Sequence, residues 1–250
     1  MKKIIIGNWK MNPNTVDEAK NINKKFKEVS KNLKNTKVVN CPPFVFIPLL
    51  ISKGESVVSI GSQNVFYEEQ GAFTGEVSAK MLKEVGVEYV IVGHSERRSM
   101  GETDEMVAKK IQMVLSYGMN AILCVGEKER DEQGSHLEFL KNQIKNSLNK
   151  VPKKNIGKLI VAYEPIWAIG AKEPMQPEIV HEMTLFVRKV LSDLFGQKDA
   201  MDTPVLYGGS VNFRNAPDII MKGQVNGLLV GRESVNQIGF VELLKAVDPI

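Results

Sequence analysis

The sequence predicts a single-domain (β/α)8 barrel over residues 1–250, and three observations carry that prediction. Eight short runs rich in β-branched residues recur along the chain, each continuously apolar rather than alternating. Most of the intervals between them carry amphipathic helical patterns, and no linker rich in proline or serine divides the chain. Its 250 residues match the size that such barrels reach as one domain. Continuous apolar strands are buried on both faces, the mark of a parallel sheet covered by helices. The competing architecture is a doubly wound open sheet. No G-x-G-x-x-G follows any of the runs, so the dinucleotide fingerprint of that fold is missing.

The runs are KIIIG (3–7), KVVNC (37–41), VVSIG (57–61), YVIVG (89–93), AILCVG (121–126), LIVAY (159–163), PVLYGG (204–209) and GLLVG (227–231). The helix after the first run opens on Thr15-x-x-Glu18, a capping-box spelling. Helical spacing continues over residues 104–117, 129–149 and 178–195. Between the third and fourth runs the chain spends a long loop before a short helix.

Composition excludes several classes of function. Lysine and arginine number 33 against 29 acidic residues, for a net charge of +4. The lysines of KNINKKFKEVSKNLKNTK are interleaved with apolar residues at helical spacing, which describes a solvated helix face. No aromatic stripe accompanies them, so nucleic acid is not an expected partner. Cys41 and Cys124 are far apart and form no CxxC, which suits buried free thiols in a reducing compartment. The apolar run near the N-terminus breaks after Ile6, too short for a signal sequence, and no stretch is long enough to span a bilayer. The expected location is cytoplasmic, with no membrane partner.

In such barrels the chemistry sits at the C-terminal ends of the strands. Those ends carry Asn8 and Lys10, Gln63 and Asn64, His94-Ser95-Glu96, Glu164, Gly208-Gly209-Ser210, and Gly231-Arg232. A lysine, a histidine and a carboxylate at one mouth supply a cation, a proton shuttle and a base. Each has a plainer reading. A lysine at a strand end is usually solvated, and a lone histidine is as often a packing residue. GHSER lacks the final glycine of a nucleophile elbow, so Ser95 is discounted as a nucleophile. His136 and His181 fall inside helical patterns, and three histidines so dispersed do not make a metal site. Glycines before helix starts can be ordinary turns, or can leave main-chain N–H groups free for an anion such as phosphate.

GNWKMN (7–12), GAFTGE (71–76), GHSERR (93–98), GETDE (101–105), AYEPIWAIG (162–170) and YGGSV (207–211) together resemble the triosephosphate isomerase family, in that family's order and from end to end of the chain. The resemblance implies a TIM barrel that interconverts dihydroxyacetone phosphate and glyceraldehyde 3-phosphate with no cofactor and no metal. It makes Glu164 the base. His94 would be a neutral imidazole whose pKa is lowered by a helix N-terminus. Lys10 and Asn8 would act on the developing oxyanion, and Glu96 would be a second carboxylate of the pocket. Asn8, Lys10 and the main chain at Gly170, Ser210, Gly231 and Arg232 would bind substrate. Pro165, Ile166, Trp167, Ala168, Ile169, Gly170, Ala171, Lys172, Glu173, Pro174 and Met175 would form a lid. In that lid the Trp167 indole would exchange between Tyr163 and Glu127, and the Tyr207 hydroxyl would latch onto Met175. Thr74 would reach into the site of a second subunit, making the protein a homodimer.

Four places depart from the family pattern. Residues 171–175 read AKEPM where the lid usually ends in T-G-K-T-A, and two residues rather than three separate ERR from GETDE. Gln224-Val225-Asn226-Gly227 stands where D-V-D-G is common and would deprive Arg188 of its usual acidic partner, and Arg232 replaces a second glycine. The altered lid end keeps an isomerase of a larger sugar phosphate, such as a tetrulose phosphate, as the alternative. A Schiff-base aldolase on Lys10 and a catalytically silent barrel are further rivals.

Overall fold

The structure, a computed structural model, describes residues 2–52, 54, 56–168 and 175–250. Its eight strands are β1 (Lys3–Asn8), β2 (Thr36–Cys41), β3 (Val58–Ser62), β4 (Tyr89–Val92), β5 (Asn120–Val125), β6 (Leu159–Tyr163), β7 (Val205–Tyr207) and β8 (Gly227–Val230). They pair in chain order, all parallel, and β8 returns to β1 to close the barrel. Closure brings Ile4 opposite Gly227, where a Cβ would stand 1.9 Å from the Ile4 carbonyl oxygen. Only glycine permits that approach.

Alternation along the strands divides the apolar residues between two cores. Ile4, Ile6, Val39, Ile91, Cys124 and Leu229 belong to the cluster that fills the barrel. Ile5, Val38, Val90, Leu123, Val161 and Val205 join the cluster that holds the surrounding helices. Each fully buried aliphatic side chain contributes about 1.5–3 kcal/mol. Both cysteines are free and buried within the barrel cluster. No helix among the described residues is long and apolar enough to cross a membrane.

The strand–helix alternation holds, with one helix start corrected. Between β2 and β3 there is only a 3-10 turn (Phe44–Phe46) running into a single helical turn (Ile47–Leu50). Prolines at 42, 43 and 48 leave little room for more. The helix expected from residue 129 begins at Ser135, because Gly134 is left-handed (φ 76°) and Asp131 Oδ1 accepts the Ser135 N–H at 2.9 Å. The first helix, Val16–Ser30, starts as its spelling implies, with Thr15 Oγ1 accepting the Glu18 N–H. The short helix before β4 is Ala79–Glu84.

Candidate active site

The strand ends gather one cavity of about 480 Å³ at the barrel mouth, lined by Asn8, Lys10, His94, Glu164, Ser210, Gly231 and Arg232 among others. Main-chain geometry fixes each of the charged members. Lys10 follows β1 in the left-handed region (φ 53°), where a non-glycine residue is strained. Two contacts hold it there: its N–H donates to Asn8 Oδ1 (3.1 Å), and its carbonyl accepts from Gln63 Nε2 (2.8 Å). Its ammonium reaches Glu96 Oε1 at 2.5 Å. Asn8 is buried, and its carbonyl accepts from the Ser234 hydroxyl at 3.0 Å.

Gly93 (φ 73°) turns the chain out of β4, and His94 caps the short helix Ser95–Ser99. His94 Nδ1 accepts the Glu96 N–H at 3.2 Å, which leaves the proton of a neutral ring on Nε2. That Nε2 lies 3.2 Å from Glu164 Oε1. Glu164 follows β6, is 3% exposed, and donates its N–H to the Val125 carbonyl at 2.7 Å. Gly126 makes this crossing possible, since a Cβ there would come within 1.9 Å of the Glu164 carbonyl oxygen.

The electrostatics correct one expectation. Burial opposes charging of His94, but the Glu164 carboxylate beside it, aided by Glu96, outweighs burial and Lys10, and the pKa is raised above 6.5 rather than lowered. The raising contact is with Glu164 itself. Below them lies the Cys124 thiol, whose pKa is driven up by burial and then by the charge of Glu164. Ser95 is buried, and its main-chain carbonyl accepts from the Ser99 hydroxyl at 3.0 Å.

After Glu164, Ile166–Ala168 form a 3-10 turn held by Ala168 N–H to Pro165 O (2.9 Å) and Ile166 N–H to Glu127 O (3.0 Å). Trp167 Nε1 donates to Glu127 Oε1 at 3.0 Å, and the Tyr163 hydroxyl donates to the same oxygen at 2.8 Å. Of the two partners expected for the indole, this structure has Glu127. Ile169 to Pro174, including Gly170, lie outside the described residues, and so does most of the altered lid end. Met175 is buried. The buried Tyr207 hydroxyl makes no hydrogen bond of ordinary geometry among the described residues, but the Met175 main-chain N–H pulls against the burial that raises its pKa to about 12. Thr74 is exposed on the loop between β3 and Ala79–Glu84, away from its own chain's cavity.

Comparison with known proteins decides the family. The triosephosphate isomerase family model matches residues 3–247. The chain belongs to the triosephosphate isomerase family. It is 42% identical to the triosephosphate isomerase of Natranaerobius thermophilus over 98% of this chain and 95% of that one. Identity with the triosephosphate isomerase of Aquifex aeolicus is also 42%, covering 98% of this chain and 99% of the relative. That of Dictyoglomus thermophilum is 38% identical, with coverage of 98% and 99%.

Within the triosephosphate isomerase fold, the substitution at position 226 has a visible accommodation. Asn226 Oδ1 accepts from Arg188 Nη2 (2.8 Å) and from the Val205 N–H (2.9 Å). Arg188 also donates to the carbonyls of Ala200, Met201 and Thr203. The guanidinium is thus held by neutral oxygens, and burial lowers its pKa. Arg232 is exposed at the rim of the cavity. Sequence reasoning missed Ser234, which sits two residues beyond Arg232 and donates its hydroxyl to the Asn8 carbonyl.

Proposed function

We propose that the chain interconverts dihydroxyacetone phosphate and D-glyceraldehyde 3-phosphate by proton transfer through an enediolate. The observation that carries the residue-level reading is the 3.2 Å contact of His94 Nε2 with Glu164 Oε1 in a cavity that also receives the Lys10 ammonium. In this reading Glu164 takes the proton from the carbon beside the carbonyl, and the C–H electrons move into a C=C bond as the carbonyl oxygen gains charge. The Nε2–H of a neutral His94 and the Lys10 ammonium stabilise that oxygen, each such donor being worth ~2.7–4 kcal/mol. Glu164 then returns a proton to the adjacent carbon, while the hydroxyl on the first carbon loses its proton to become the new carbonyl and the former carbonyl oxygen is protonated, so the two oxygens exchange roles. Asn8 sets the Lys10 main chain, and Glu96 holds its ammonium and the His94 ring. The phosphate is bound by main-chain N–H groups at Gly170, Ser210, Gly231 and Arg232, with Pro165 to Met175 as the lid over it.

A homodimer is part of the proposal, with Thr74 reaching the partner subunit's Asn8 and His94. Its support is the exposure of Val45, Leu49, Phe73, Met81 and Met100 on segments following β2, β3 and β4. A cytoplasmic location suits the two buried free thiols. A coupled isomerase assay in both directions tests the activity, and competing triose against tetrulose phosphate for kcat/KM tests the substrate. Glu164→Asp withdraws the carboxylate by one methylene and should lower kcat by ~10²-fold with KM nearly unchanged. Wild-type kcat in that variant would remove Glu164 from the role of base.

A further inference from the structure

Arg130 is the one cation that the described residues bring to the buried carboxylate of Glu127, and it does more there than balance charge. Its Nε donates to Glu127 Oε1 at 2.9 Å, its Nη2 donates to the Tyr163 hydroxyl at 2.8 Å, and its guanidinium lies 5.3 Å from the centre of the Trp167 ring. Glu127 is 1% exposed, and its Oε1 also accepts from Tyr163 and Trp167 while Oε2 has no partner among the described residues. One planar group therefore ties three side chains, two of them flanking Glu164 in the chain. Tyr163 immediately precedes the proposed base, and Trp167 follows it by three residues. The main chain between them is pinned to the same loop through Ile166 N–H to Glu127 O.

We infer that Arg130 is a positioning residue for Glu164. Its fork holds both ends of the Tyr163–Trp167 turn against the loop after β5, and so fixes where the carboxylate stands relative to His94. The arrangement needs the guanidinium shape rather than its charge. A lysine ammonium can neutralise Glu127, but it cannot donate in two fixed directions and cover the indole face as well. The inference rests on the reading of Glu164 as the base.

Arg130→Lys is the discriminating variant, since it keeps the charge beside Glu127, and Arg130→Met removes both charge and fork. The measurements are kcat and KM for glyceraldehyde 3-phosphate, the thermal midpoint, and acrylamide quenching of tryptophan fluorescence. Trp9 is buried and Trp167 is 43% exposed, so quenching reports mainly on Trp167. Arg130→Lys should keep the midpoint near wild type, lower kcat about tenfold with KM within about twofold, and quench faster, a milder loss than direct displacement of the base. Arg130→Met should show the same kinetic split together with a lower midpoint. The inference is overturned if Arg130→Lys leaves kcat and quenching unchanged while Glu164→Asp cripples kcat. It is equally overturned if kcat in both Arg130 variants falls only in step with the thermal midpoint. If quenching changes but neither Glu164→Asp nor Arg130→Lys affects kcat, the reading of the base has failed and the inference falls with it.

Discussion

Gly208 makes room for the side chain of Glu164: a Cβ on Gly208 would stand 2.6 Å from Glu164 Cγ and 3.3 Å from its Oε1. The Gly208 main chain cannot easily retreat, because its N–H donates to the Tyr163 carbonyl at 2.8 Å. Gly208→Ala should therefore displace the carboxylate and lower kcat by roughly 10–10²-fold while the protein stays folded. Steady-state kinetics beside a thermal melt check this, and an unchanged kcat refutes it.

The raised pKa of His94 makes a prediction with a definite sign. Its attraction to Glu164 contributes stability that is fully present below pH 6.5, the ordinary value, and is lost as pH rises through the higher folded value. Catalysis by the neutral ring needs the opposite state. In the free enzyme kcat/KM should therefore rise with pH through a midpoint above 6.5. Titration of the His94 imidazole by NMR, assigned through His94→Gln, should give the same midpoint. A midpoint below 6.5 would show that the Glu96 N–H at Nδ1 prevails over the Glu164 carboxylate.

Behind the site, Lys110 is buried against Glu102 and donates to Asn64 Oδ1 at 2.8 Å. Glu102 Oε2 in turn accepts the N–H of Gly93, the residue before His94. Among the described residues, Lys110→Met leaves the buried carboxylate with only the more distant Arg97 as a cation. It should cost about 3–5 kcal/mol, read from urea unfolding. A loss under about 1 kcal/mol would mean that Glu102 takes up a proton or water in its place.

Arg188 offers a gain of stability. Asn226→Asp keeps the acceptor that Arg188 and the Val205 N–H share and adds a charge to it. The gain should be about 1 kcal/mol at pH 7, the difference between neutral and charge-assisted hydrogen bonds. The new aspartate should have a depressed pKa, so its contribution holds above about pH 4 and disappears as pH falls through the folded value. Thermal melts of both proteins at pH 7 and pH 3 decide it.

The strands were legible because burial on both faces leaves an unbroken apolar run, as in Leu159–Tyr163. For the same reason the division between the two cores was not: Ile4 and Ile5 are spelled alike and face opposite ways. The late start at Ser135 depends on one left-handed glycine and one capping aspartate, which local hydropathy does not register. In the site, Asn8, Lys10, His94 and Glu164 are readable as polar residues ending apolar strands. Arg130 is not, because its partners lie 3 and 33 residues away and meet only when β5 and β6 pair. The direction of the His94 shift also required knowing that Glu164 sits against Nε2.

The left-handed backbone at Lys10 has a consequence for any attempt to harden this protein. A side chain in that region costs roughly 1–2 kcal/mol that glycine would not incur. The ammonium is therefore displayed by a conformation the chain would relax if it were free to do so. Selection for heat resistance alone would favour glycine at position 10 and discard the cation with it. A thermostabilised descendant of this chain is best obtained by screening for turnover and survival at once, with position 10 held fixed.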